Sequence, residues 1–178
     1  MRVISGKYKG RKIIAPEGDR VRPTSDKVKE CVFDILQFRI SDTLFVDLFS
    51  GCGGMGIEAL SRGAKKVIFV DNSRQSLHYI KANTENCGAT DFEIMLTDYF
   101  SALLRIKDAD FIYADPPYAE EEIYRNLLTA CYPALKDGGQ IIIEHRSGTT
   151  VDVQDGYELK SVRKYGYVTL SIFEKVAK

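Results

Sequence analysis

From residue 43 onward, short apolar runs alternate with stretches of helical period. The apolar runs lie at 43–48, 66–70, 92–96, 110–114 and 139–144, and the helical patterns near 55–62, 73–86, 98–105 and 120–135. Nearly continuous apolar strands separated by helices predict a parallel sheet covered on both faces. The end of the chain breaks this rule. Tyr157 to Arg163 and Tyr167 to Glu174 are joined by Lys164-Tyr165-Gly166 with no helix between them. That pattern predicts a hairpin, so at least one strand is antiparallel.

The first 42 residues have a different texture. Residues 1–14 carry Gly6 and Gly10 and predict a short hairpin, with Arg11-Lys12-Ile13-Ile14 as its return. Residues 15–23 hold two prolines and a glycine and predict a loop. A helix follows, capped by Thr24 or Ser25, with Val28, Cys31, Val32, Ile35 and Leu36 on one face. The expected organisation is an N-terminal hairpin and loop, 1–24, appended to a single α/β core domain, 25–178.

Composition narrows the class. A chain of 178 residues that is 44% hydrophobic and 28% charged is a globular domain with a sizeable core. No apolar run approaches the roughly 18–20 residues that span a bilayer. Met1 to Lys7 lacks the apolar stretch of a secretory signal, and the expected location is the cytoplasm. Cys31, Cys52, Cys87, Cys131, His78 and His145 have no zinc-site spacing, so no metal is expected and the thiols are read as free.

Charge alters the picture in one respect. The chain is neutral overall, yet residues 1–29 hold nine Lys/Arg against three Asp/Glu, leaving −6 for the rest. A basic segment on an acidic body is compatible with a phosphate-bearing partner and equally with a solvated charged hairpin.

Two motifs carry chemistry. In the first, the strand at 43–48 runs into Gly51-x-Gly53-x-x-Gly56 and then a helix, and Asp71 closes the next strand 20 residues after Gly51. Glycines there let backbone turn sharply and approach a ligand, and the acid can accept ribose hydroxyls. Alone, the pattern fits a nicotinamide cofactor, a methyl donor or an empty tight turn. Asp47 at the loop entrance favours the methyl donor, because a carboxylate repels a pyrophosphate and suits an ammonium group. The chain also lacks the length for a second mononucleotide half and a substrate domain. Asp98, followed by Tyr99-Phe100, fits both an adenine contact and a helix N-cap.

The second motif is sharper. Asp115-Pro116-Pro117-Tyr118 follows the apolar run 110–114. An exocyclic amino group conjugated to a ring is a poor nucleophile, and its methylation needs acceptors for both N–H bonds. The Asp115 carboxylate and the Pro116 carbonyl can supply them, with both prolines stiffening the loop. Tyr118 offers a face for stacking the base. Cys52 is read as a small loop filler and His78 as a surface residue, while His145 could face the pocket but reads better as a strand-end surface histidine.

At this point the sequence resembles a family. Arg2-Val3-Ile4-Ser5-Gly6-Lys7-Tyr8-Lys9-Gly10-Arg11, Arg22-Pro23-Thr24-Ser25-Asp26-Lys27 and the stretch from Asp47 to Ala64 are similar to the RsmD family of 16S ribosomal RNA guanine-N(2)-methyltransferases. The resemblance covers essentially the whole chain. It implies a Rossmann-like, seven-stranded, mostly parallel sheet with helices on both faces. It implies S-adenosylmethionine as methyl donor, no metal, and a guanine 2-amino group as target. The substrate it implies is 16S ribosomal RNA in the small subunit or an assembly intermediate, acted on by a monomer. Asp47, Phe49, Gly51, Gly53, Gly56, Asp71, Asn72, Asp98 and Tyr99 would then bind the donor, with Arg22 and Thr24 closing over it. Asp115, Pro116, Pro117 and Tyr118 would form the catalytic loop. Arg2, Lys7, Lys9, Arg11 and Lys12 would meet RNA phosphates. The rival targets are a DNA adenine and a protein glutamine, since each presents a planar conjugated NH₂. A donor- or RNA-binding module without turnover is the reading from another class.

Overall fold

The computed structural model describes residues 1–16, 26–117 and 121–177. Arg22, Thr24, Ser25 and Tyr118, and with them the expected helix cap and the stacking face, lie outside the described residues.

Seven strands form one sheet: β1 (Leu44–Leu48), β2 (Lys66–Asp71), β3 (Phe92–Leu96), β4 (Ala109–Ala114), β5 (Leu135–Arg146), β6 (Tyr157–Tyr165) and β7 (Val168–Lys175). Their order is β3-β2-β1-β4-β5-β7-β6. The first five are parallel, and β7 runs antiparallel to both β5 and β6. Helices α1 (Asp26–Leu36), α2 (Gly54–Ser61) and α3 (Arg74–Cys87) contribute to the core on one face. Helices α4 (Tyr99–Leu103) and α5 (Glu121–Cys131) contribute to the core on the other. Coverage of both faces explains why β1, β2 and β4 are apolar almost without alternation.

Two elements differ from the sequence expectation. β5 begins at Leu135 rather than 139, because Gly138, at φ 73, absorbs a register shift between Ala109↔Leu135 and Phe111↔Gln140. The C-terminal hairpin turns on two residues, Gly166-Tyr167, with Tyr165 opposite Val168. Gly166 takes the positive φ that the first position of a tight hairpin turn demands.

The N-terminal segment closes on a single bridge, Arg2↔Lys12, rather than on two extended strands. Its apolar residues Val3, Tyr8 and Ile13 join the core beneath α1 and α2. The buried Glu58 carboxylate of α2 fastens it, accepting the amides of Ile4 at 2.8 Å and Ser5 at 3.0 Å. Glu58 also pairs with Arg62 at 2.8 Å and with the fully buried Lys29 at 3.6 Å. Lys29 in turn donates to the Arg2 carbonyl at 2.6 Å. Gly6 is required sterically, since a Cβ there would lie 1.8 Å from the Ser61 carbonyl oxygen.

Candidate active site

The order of strands reverses between β1 and β4, and both motifs leave the sheet at that point. In parallel sheets the crevice beyond the carboxyl ends at such a switch is where ligands bind. Asp47 lies opposite Tyr113 and Leu48 opposite Ala114, which brings the glycine loop and Asp115 to adjacent strand ends.

The loop after β1 is rigid through its own hydrogen bonds. Ser50 Oγ donates to the Asp47 carbonyl at 2.6 Å and accepts the Val70 amide at 2.9 Å. The amides of Phe49 and Ser50 both donate to the Val70 carbonyl. Phe49, Gly51 and Gly53 all take positive φ, and a bulky side chain held in that region marks a conformation the surroundings impose. Gly56 has another reason: its Cβ would meet Phe69 Cε1 at 2.2 Å, so only glycine lets α2 pack on β2.

The acids at the ends of β1, β2 and β3 are held differently. Asp47 is buried and accepts the Gly56 amide on Oδ2 at 2.9 Å. Burial pushes its carboxyl up to about 7, with Asp71 adding to the rise and the Gly56 hydrogen bond opposing it. Asp71 accepts Gly51 N–H at 2.9 Å on one oxygen and Ser73 N–H at 2.8 Å on the other. Asn72 beside it is exposed. Asp98 is exposed and caps α4 by accepting the Ser101 amide, and these hydrogen bonds hold its carboxyl below the usual range. The rings of Phe49 and Tyr99 lie 5.4 Å apart, forming an aromatic pair between the ends of β1 and β3.

Across the switch, Asp115 is half-buried, Pro116 buried and Pro117 exposed, and both prolines are trans. Burial raises the Asp115 carboxyl well above its ordinary value, and the nearby carboxylates of Glu144 and Asp47 raise it further. Tyr124 of α5 donates its hydroxyl to the Pro116 carbonyl at 3.4 Å, a long contact. Glu144 is buried at the end of β5 and hydrogen-bonds the Tyr113 hydroxyl.

Sequence reasoning missed Glu144, Tyr113 and Tyr124. A charged residue closing the apolar run Ile141-Ile142-Ile143 was the available signal for Glu144. His145 corrects an expectation. It is buried rather than on the surface, shares a 2.8 Å hydrogen bond with Ser171, and is less basic than usual because of burial. His78 is exposed as expected, and all four cysteines are free. Among the described residues no group of His, Cys, Asp and Glu could hold a metal, and no helix is long and apolar enough to cross a membrane.

The basic residues of the N-terminal segment are exposed, and the segment runs along α2, with Met1 Sδ 2.7 Å from where a Gly54 Cβ would stand. The Lys7 amide donates to the carbonyl of Ser61, the last residue of α2. An eight-residue helix rises roughly 12 Å, so Lys7 and Lys9 sit at the end of α2 remote from the glycine loop.

Comparison with known proteins agrees with this geometry. YlbH of Bacillus subtilis (strain 168), described as a candidate rRNA methyltransferase, is 37% identical, the match covering 98% of this chain and 99% of YlbH. Ribosomal RNA small subunit methyltransferase D of Haemophilus influenzae is 27% identical over 98% of this chain and 93% of its own. Among solved structures, yhhF from Escherichia coli, described as a candidate methyltransferase, superposes with a TM-score of 0.86 at 28% identity. That match covers 100% of this chain and 99% of yhhF. The model of the family described as conserved hypothetical protein 95 matches residues 1–174, and the chain belongs to that family, the RsmD family that its motifs resemble.

Proposed function

We propose that this chain transfers the methyl group of S-adenosylmethionine to the 2-amino group of a guanine in 16S ribosomal RNA, within the small subunit or an assembly intermediate. This reading makes it a cytoplasmic monomer. The observation that carries it is the placement of Asp115 and the Pro116 carbonyl at the switch point, one strand from the glycine loop. Relatives whose names assign them to small-subunit ribosomal RNA support the substrate class.

The residues present fit the donor. Asp47 is a buried carboxylate whose charge an ammonium group would compensate, Asp71 and Asn72 stand where ribose hydroxyls would lie, and Phe49 and Tyr99 frame a flat slot for adenine. Gly51, Gly53 and Gly56 keep the loop backbone close to the ligand. When bound, the donor supplies an electrophilic methyl group on a sulfonium. The chain's own part is to hold the acceptor. Asp115 accepts one N–H of the guanine amino group and the Pro116 carbonyl the other, which turns the nitrogen lone pair toward the methyl. Holding both partners in line lowers the barrier through proximity and through fixed acceptors that need no reorganisation. Asp115, with its raised proton affinity, is placed to take the proton that the nitrogen must release. Tyr118 stacks the extruded base, and Arg2, Lys7, Lys9, Arg11 and Lys12 meet more distant phosphates.

The test is to incubate the protein with methyl-labelled donor and, separately, small subunits, naked ribosomal RNA, duplex DNA and a glutamine-bearing protein. Label is expected in the RNA of the subunit, on guanine N2 after nuclease digestion. Label confined to DNA or protein overturns the substrate assignment.

A further inference from the structure

The C-terminal hairpin carries cations close to the catalytic edge of the sheet. From Leu159 to Phe173 the chain contains Lys160, Arg163 and Lys164 and no acidic residue. Lys160 is already engaged with Glu158 and Glu174 toward the other end of the hairpin. Arg146, Arg163 and Lys164 are exposed and form no ion pair among the described residues.

Register places these cations relative to the chemistry. Ala114 lies opposite Ile143, so Asp115 emerges beside Glu144. Glu144 pairs with Leu170 and Leu170 with Arg163. Asp115, Glu144, Leu170 and Arg163 thus form one transverse row, and partners in a row share a face of the sheet. At about 4.8 Å per strand, Arg163 stands roughly 15 Å from Asp115. The next row outward is Arg146, Val168 and Tyr165, on the same face. Lys164 emerges on the opposite face, and the turn residue Tyr167 is 80% exposed. Tyr165 is partly buried against the core cluster to which α1 contributes, which ties this corner to the body. The hairpin therefore offers cations and an aromatic ring on a fixed support, at the edge where the target must enter.

We propose that Arg146, Arg163 and Lys164, with the ring of Tyr167, form a docking edge for the RNA strand that flanks the target nucleotide. The inference rests on the methyl-transfer reading above and adds the surface that positions the substrate. Phosphates are the complement of cations with no carboxylate partner, and an exposed tyrosine suits an unstacked base next to one that has been extruded. Lys7 and Lys9 then meet RNA at the far end of α2, while the hairpin sets which nucleotide reaches Asp115.

The experiment uses the full chain with Arg146→Gln, Arg163→Gln and Lys164→Gln combined, and Tyr167→Ala separately. It measures KM for small subunits, binding of naked ribosomal RNA at several salt concentrations, kcat and donor affinity. The triple variant should raise KM about tenfold or more and make log K against log salt shallower by about 2, at roughly 0.7 per single-strand phosphate contact. Tyr167→Ala should weaken RNA binding about fivefold or more, in line with one lost stack. Donor affinity and kcat should hold. An unchanged salt slope and KM would overturn the docking edge. A raised KM on subunits with unchanged binding of naked RNA would overturn it too, and assign the surface to a ribosomal protein. Wild-type protein that labels no RNA would instead sink the methyl-transfer reading itself, so the two failures are distinguishable.

Discussion

The two sides of the switch point solve opposite problems. On the β1–β3 side, Asp47 and Asp71 spend hydrogen-bonding capacity on the loop itself, receiving Gly56, Gly51 and Ser73 amides. Those carboxylates hold a ready-made cradle. On the β4–β7 side, burial and the neighbouring Glu144 and Asp47 work against the charge on Asp115. Glu144 hydrogen-bonds the Tyr113 hydroxyl across the strands behind it. One side is organised by backbone amides before any ligand arrives. The other raises proton affinity at Asp115, where the proposed function puts the target nitrogen. Binding and chemistry should therefore separate cleanly on mutation.

The largest effect should come from Asp115→Ala. Removing a positioned acceptor and proton acceptor costs on the order of 10²–10⁴ in rate. Donor affinity should change little, because none of the loop's hydrogen bonds involves Asp115. Single-turnover methyl transfer alongside donor calorimetry checks both. Loss of donor binding to the same extent would erase the distinction between the two sides.

Next in size is a stability effect confined to the donor side. Glu58→Ala would leave Lys29 buried with its charge uncompensated and free the amides of Ile4 and Ser5. Breaking a buried pair from one end typically costs about 3–5 kcal/mol. Denaturant unfolding should show that loss, and Glu58→Gln should recover part of it by retaining an acceptor for the amides.

The contrast also marks what the sequence made legible. β1, β2 and β4 announced themselves because parallel strands covered on both faces must be apolar throughout. The glycine loop and Asp115-Pro116-Pro117 were readable because their chemistry is contiguous in the chain. Glu58 was hidden. It reads as an ordinary helical glutamate, and its partners at residues 4 and 5 lie 54 and 53 positions away. Glu144 and Tyr113 meet across 31 positions, and only the strand register reveals that Asp115 emerges beside them. The apolar run from 139 did not announce that β5 reaches back to Leu135 through a bulge. The N-terminal cations cluster in sequence, and only the fold shows that the segment runs along α2, with Lys7 and Lys9 beside its last residue.

A third effect is a pH dependence on the donor side. Burial lets Asp47 hold its proton up to about pH 7 in the folded protein, against the ordinary carboxylate value of 3.8. The folded chain keeps that proton where the unfolded chain has lost it, so stability without donor should fall as pH rises from about 4 to 7. An ammonium group favours the carboxylate and draws the titration down. Donor affinity should thus be full above about pH 7 and weaken below it, by up to about tenfold per pH unit. Calorimetry across that range checks the slope, and Asp47→Asn should flatten it while weakening binding throughout. A slope retained in Asp47→Asn would move the titration to another group.

The smallest expected effect tests the other side at its gentlest point. Tyr124 is buried, and its ring lies edge-on to that of His145 with centroids 6.3 Å apart, an arrangement that phenylalanine would keep. Only the hydroxyl's bond to the Pro116 carbonyl would go, and at 3.4 Å that bond is long. A carbonyl has two lone pairs, so the phenol need not displace the target amino group. Its role is to aim the carbonyl. Net hydrogen-bond contributions are about 0.5–1.5 kcal/mol, and this one belongs at the low end. Tyr124→Phe should therefore lower kcat only about two- to fivefold, with donor affinity and melting temperature nearly unchanged. A gain in kcat would show that the phenol competes for the carbonyl. The catalytic side would then be holding its second acceptor in reserve, with Asp115 alone left to orient the nitrogen.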